Sequence, residues 1–126
     1  MSSYDEILDG SIAAFYDSHR EDIEAHLRLG SIADEGEEAL IRAVYWPAAW
    51  THCMDFCNRV MVPDQGTLDA LTEAGLPLRS PKLADKRFLA AVYMTLAYFY
   101  DQREDTGTPP KVVERLLWPL RASLGV

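Results

Sequence analysis

Apolar residues recur at Tyr4, Ile7, Leu8, Ile12 and Phe15, the three- and four-residue spacing that places side chains on one face of a helix. The same phase runs on through His19, Ile23, His26 and Leu27 as far as Gly30. Ser3-x-x-Glu6 and Ser18-x-x-Glu21 each match a capping box, in which a hydroxyl and a carboxylate satisfy the free N–H groups of a helix start. Residues 4–29 therefore read as one long helix or as two joined near Asp17–Ser18. Gly30 suits the left-handed residue that ends a helix.

Acidic residues at 34, 35, 37 and 38 precede Ala39-Leu40-Ile41, which predicts a helix starting there and running to Trp46. Pro47 has no N–H to donate and disfavours helical geometry before it, so a kink or break is expected at Trp46–Pro47. A helix from 47 to about 61 follows, with Trp50, Cys53, Met54, Cys57, Val60 and Met61 on its inner side. Pro63-Asp64-Gln65-Gly66 reads as a loop, Thr67–Ala74 as a short helix ended by Gly75, and Leu76–Arg79 as extended chain. Ser80-Pro81 predicts an N-cap and first helical residue.

The helix expected over 81–103 is apolar nearly all round, which marks it as the buried central element. Gly107 is expected to close it, and Thr108-Pro109-Pro110 to open a last helix carrying Val112, Val113, Leu116, Leu117, Leu120 and Leu124, kinked at Pro119. No segment alternates apolar and polar residues as a half-buried strand would. The pattern predicts an all-α, single-domain (1–126) irregular or orthogonal bundle of five to seven helices.

Length and composition fit that picture. A chain of 126 residues, 48% hydrophobic and 25% charged, is of single-domain size and ordinary globular make-up. The N-terminus lacks the basic and apolar regions of a secretory signal. The longest apolar run, Phe88–Tyr100, falls short of the roughly 20 residues of a membrane span. Cys53 and Cys57, four apart on one helix, suit a disulfide poorly and read as reduced, buried thiols. A cytoplasmic protein that engages no membrane is expected.

Charge changes the picture more. The net charge is −8, and residues 1–40 hold eleven acids against two bases, whereas residues 41–126 hold nine acids and ten bases. The acidity is therefore a property of the first third. Read blandly, these acids solvate an outer face and sit near helix N-termini. Read functionally, Glu21, Asp22, Glu24, Asp34, Glu35, Glu37 and Glu38 present an anionic surface to a basic protein partner. Net negative charge argues against direct nucleic-acid binding, but an acidic protein can occupy the groove of a nucleic-acid-handling partner in place of phosphates. The opposite patch, Arg79, Lys82, Lys86 and Arg87, is a candidate anion site, with Lys82 expected at a helix N-terminus.

Candidate chemistry is sparse. His19, Asp22 and His26 share one side of a helix, yet the two imidazoles stand roughly 10 Å apart along the axis, so one metal would be held by His19–Asp22 or Asp22–His26 with further ligands from elsewhere. His52, Cys53, Asp55 and Cys57 form a second cluster, but C-x-x-x-C is not a zinc-knuckle or thiol-redox spacing, and adjacent residues diverge on a helix. Tyr45, Trp46, Trp50 and Trp118 serve as binding anchors or core fillers, and the burial aromatics supply favours core. No Walker A loop, G-x-G-x-x-G, H-E-x-x-H, G-x-S-x-G or EF-hand loop is present. The expectation is a non-enzymatic protein without cofactor or metal. It would be an inhibitor of the toxin-immunity or phage anti-defence (anti-CRISPR) type, acting through its acidic N-terminal third. The alternatives are a metal- or small-ligand-binding bundle using His19, Asp22 and His26, and a homo-oligomeric scaffold joined through Trp46, Trp50 or Trp118.

Overall fold

A computed structural model describes residues 4–27, 35–75, 78–101 and 111–121. The expectations placed on Ser3, Gly30, Asp34, Leu76–Pro77, Gly107, Thr108-Pro109-Pro110 and Leu124 lie outside the described residues. The chain is all-α, in the order α1 (Tyr4–Ser18), α2 (Arg20–His26), α3 (Glu35–Leu40), a π-helical turn (Ile41–Tyr45), α4 (Trp46–Cys57), β1 (Met61–Val62), α5 (Gln65–Glu73), β2 (Lys82–Leu83), α6 (Lys86–Asp101), α7 (Lys111–Leu117) and a 3-10 turn (Trp118–Leu120). Among the described residues no helix is long and apolar enough to cross a membrane.

The N-terminal stripe resolves into two helices, with His19 as the joint. Its N–H bonds the carbonyls of both Phe15 and Tyr16 at 3.1 Å, a forked arrangement common at helix ends. No break occurs at Pro47. The helical path continues from α3 into α4 through a widened turn in which the Trp46 N–H reaches back five residues to the Ile41 carbonyl. A regular turn would press the proline ring onto the carbonyl of residue 43; the wider turn accommodates the ring and the missing donor.

α4 ends at Cys57, earlier than its apolar pattern suggests, because Asn58 adopts φ 54° and turns the chain out of the helix. Met61–Val62 then pairs in parallel with Lys82–Leu83, a two-stranded element the period-2 test did not detect. The expected start at Ser80-Pro81 is likewise corrected. Ser80 has φ 43°, Lys82 N–H bonds the Val60 carbonyl at 2.9 Å, and Ala84 N–H bonds that of Val62 at 2.9 Å. Helix α6 begins only at Lys86, where Asp85 Oδ1 accepts the Phe88 N–H at 2.9 Å.

α4 and α6 form the centre. Phe88, Ala91, Val92, Thr95 and Leu96 of α6 are fully buried, as are Trp46, Ala49, Trp50, Cys53 and Cys57 of α4. Trp50 meets Phe88 edge-on at 5.0 Å between centroids, and Cys53 Sγ lies 3.4 Å from Thr95 Oγ1. The two buried indoles tie α4 to its neighbours, since Trp46 Nε1 donates to the Ile12 carbonyl and Trp50 Nε1 to that of Met61, each at 3.1 Å. α7 closes the other side of α6 with Val113 and Leu117.

Candidate functional site: the acidic face

The joint at His19 turns α2 so that Ile23 is buried while Glu21 and Asp22 are exposed and Glu24 is half-buried. Both exposed acids lie in the first turn of α2, where they complement its positive end. A cavity of about 220 Å³ at this joint is lined by Asp17, Ser18, His19, Arg20, Glu21 and Asp22. Arg20 Nη1 donates to Glu38 Oε1 at 3.0 Å, so α3 contributes a carboxylate to the same region. Of the other expected site residues, Asp34 lies outside the described residues, as do the side chains of Glu35 and Glu37.

Two residues that sequence patterning did not single out organise this face. Arg42 grips Asp17 with two parallel hydrogen bonds, Nε to Oδ1 at 2.7 Å and Nη2 to Oδ2 at 2.9 Å. That fork holds the Asp17 carboxyl below its ordinary value and ties the end of α1 to the π turn. Tyr16, fully buried beneath, has a hydroxyl with no hydrogen-bond partner among the described residues. Burial, reinforced by the charges of Glu24 and Glu38, pushes its phenol up to about 12. The Arg42–Asp17 pairing carries no local spacing signal, since the two residues are 25 apart. The face is therefore partly neutralised from within. Asp17 and Glu38 are engaged, whereas Glu21 and Asp22 have no ion-pair partner among the described residues.

His19 shares the joint cavity with Asp22, but both His19 and His26 are engaged with aromatic rings. His19 stacks on Phe15 at 4.0 Å, its Nδ1 lying 3.0 Å from the Phe15 carbonyl, and His26 lies against the Tyr93 ring at 5.4 Å. Among the described residues no group of three or more His, Cys, Asp or Glu side chains is placed to hold a metal ion. In the second cluster, His52 faces Phe99 and Asp55 is exposed, while Cys53 and Cys57 are buried free thiols. Desolvation raises Cys53 to about 12 and Cys57 to about 11, so both are un-ionised at neutral pH and poor nucleophiles.

The basic patch is rearranged. Lys82 stands on β2, not at a helix N-terminus, and its ammonium lies 3.7 Å from Asp85. It therefore shares no helix with Lys86 and Arg87, which are exposed at the start of α6, and Arg79 is exposed in the bend before β2. Trp46 and Trp50 belong wholly to the core, which leaves neither for a subunit contact, whereas Trp118 is 63% exposed. Comparison with protein-family models, curated proteins and solved structures finds no match to this chain.

Proposed function

We propose that this chain acts by binding another protein, as a small inhibitor that neutralises a basic, nucleic-acid-handling partner in the manner of toxin-immunity or phage anti-defence (anti-CRISPR) proteins. The observation that carries the reading is the concentration of eleven of twenty acids in the first forty residues, with Glu21 and Asp22 exposed side by side on α2. Such a surface steers a cationic partner and fixes its orientation, and the effect weakens as salt rises. The Arg20–Glu38 pair supports the reading by joining α2 to α3, and the Asp17–Arg42 pair by joining the end of α1 to the π turn.

The test compares the wild-type chain with the Glu21→Lys, Asp22→Lys, Glu24→Lys triple variant. Affinity capture from the native host identifies a candidate partner, and titration of the purified pair at several salt concentrations measures affinity. The expected result is a basic partner whose binding weakens with salt and is lost in the triple variant, and whose own activity falls when the wild-type chain is bound. Binding of equal strength and salt dependence by the variant would overturn the reading.

A further inference from the structure

The end of α4 opposite the acidic face gathers cations from three separate stretches of chain. Arg59 follows the left-handed turn at Asn58, Lys82 lies on β2 in register with Met61, and Arg121 follows the last 3-10 turn. All three are close enough for their charges to act on the Cys57 thiol, and among the described residues Asp85 is the acid that acts beside them. The Arg79 carbonyl accepts the Val60 N–H at 2.8 Å, so the bend carrying a fourth cation is fastened to the same corner.

Two features go beyond a solvated basic surface. Arg59 Nε is buried and has no hydrogen-bond partner among the described residues. Arg121 has no carboxylate partner among them either, and its guanidinium instead lies 5.1 Å from the ring centroids of both Phe56 and Trp118. Trp118 remains 63% exposed with that guanidinium against it. Among the described groups that act on the Cys57 thiol, the negative end of α4 offsets about half a charge and Asp85 one more, which leaves positive charge in excess. Arg59 forms no ion pair among the described residues, so its charge is left for an anion supplied from outside.

We propose that this corner binds a phosphate ester carrying a flat ring, a nucleoside phosphate, with the phosphate between Arg59, Lys82 and Arg121 and the ring stacked on Trp118. The anion pairs with the Arg59 guanidinium. The aromatic face selects a nucleotide over inorganic phosphate, since base–aromatic stacking adds affinity without demanding a particular base. The phosphate ester belongs either to a free nucleotide or to a short single strand.

The experiment titrates the full chain at low salt with inorganic phosphate, adenosine, adenosine monophosphate and a thymidylate hexanucleotide, reading heat and tryptophan fluorescence. Trp46 and Trp50 are fully buried, so quenching by a ligand reports on Trp118. The expected result is adenosine monophosphate binding at least about fivefold tighter than phosphate, an advantage lost in Trp118→Ala. Lys82→Gln, Arg59→Gln and Arg121→Gln each weaken it about tenfold. Asp85→Asn, which keeps a capping acceptor for α6 but removes the competing charge, tightens it. The hexanucleotide separates the two sources of the ester. Tighter binding with a steep salt dependence assigns it to a strand, and binding no tighter than the mononucleotide assigns it to a free nucleotide; either supports the shared chemistry. No binding of adenosine monophosphate up to about 10 mM would overturn the proposal. So would nucleotide binding no tighter than phosphate, or unchanged affinity in the exposed-side variant Lys82→Gln with melting as in the wild type.

Discussion

Tyr16 shows what a single buried polar atom implies. Its ring fills core space beside Trp46, at 6.1 Å between centroids, while its hydroxyl lacks a partner among the described residues. An unsatisfied buried hydroxyl costs about 1–3 kcal/mol, so Tyr16→Phe is expected to leave stability unchanged or raise it by about 1 kcal/mol. The pH dependence follows from the raised phenol. The folded state keeps its proton up to about 12 whereas the unfolded chain releases it near 10. Stability is therefore full below about pH 10 and falls as pH rises toward 12, and Tyr16→Phe flattens that decline in melting curves. The thiols make a second residue-scale prediction. With Cys53 at about 12 and Cys57 at about 11, neither is alkylated by iodoacetamide at pH 8 on a timescale of minutes in the native state, and both react in denaturant. Rapid native labelling of Cys53 would contradict its placement against Thr95. The buried, reduced character of these two cysteines was legible in the sequence, because an i,i+4 pair on an apolar helix face has one ordinary fate.

At the scale of elements, legibility followed the range of the interaction that decides each boundary. The α1 stripe, the α5 stop at Gly75 and the apolar centre of α6 rest on local periodicity and backbone preference, and the pattern located them. The boundaries of α4 and α6 depend on pairing between residues 61–62 and 82–83, which a local window does not contain. Ser80-Pro81 has the composition of a helix start, but the Lys82 and Ala84 N–H groups are taken by Val60 and Val62, so the helix waits for Asp85. That cap works against an unfavourable first turn, since Lys86 and Arg87 place positive charge at the positive end of α6. Asp85→Ala is expected to lower stability by about 1 kcal/mol, seen in the urea midpoint, while Asp85→Asn loses less. A similar loss is expected for Asp64→Ala, because Asp64 Oδ1 accepts both the Thr67 N–H at 2.7 Å and its hydroxyl at 2.9 Å.

Across the whole molecule, charge is segregated. Along the chain residues 1–40 hold eleven acids against two bases, and among the described residues Glu21 and Asp22 are exposed on α2 while Arg59, Lys82 and Arg121 act near the end of α4. The lopsided charge was readable from residue counts, but which acids stay available was not, because that depends on Arg20 and Arg42 folding back onto α3 and α1. The Asp17–Arg42 fork is the test of that internal neutralisation. Arg42 holds the Asp17 carboxyl below the ordinary value, so the folded state binds fewer protons than the unfolded chain around that pH. Its contribution is therefore fully present above about pH 4 and is lost as pH falls through the depressed folded value. Asp17→Asn removes this component, so thermal melting of the variant is expected to change less than that of wild type as pH falls below about 4. Because both side chains are about half exposed (46% and 54%), the difference also shrinks in high salt. The same substitution leaves Arg42 without the carboxylate that neutralised it, which weakens attraction of a basic partner at low salt. A variant with unaltered acid melting would show that the fork does not hold α1 to the π turn in solution. One with altered melting but unchanged partner binding would separate the scaffold from the surface it presents.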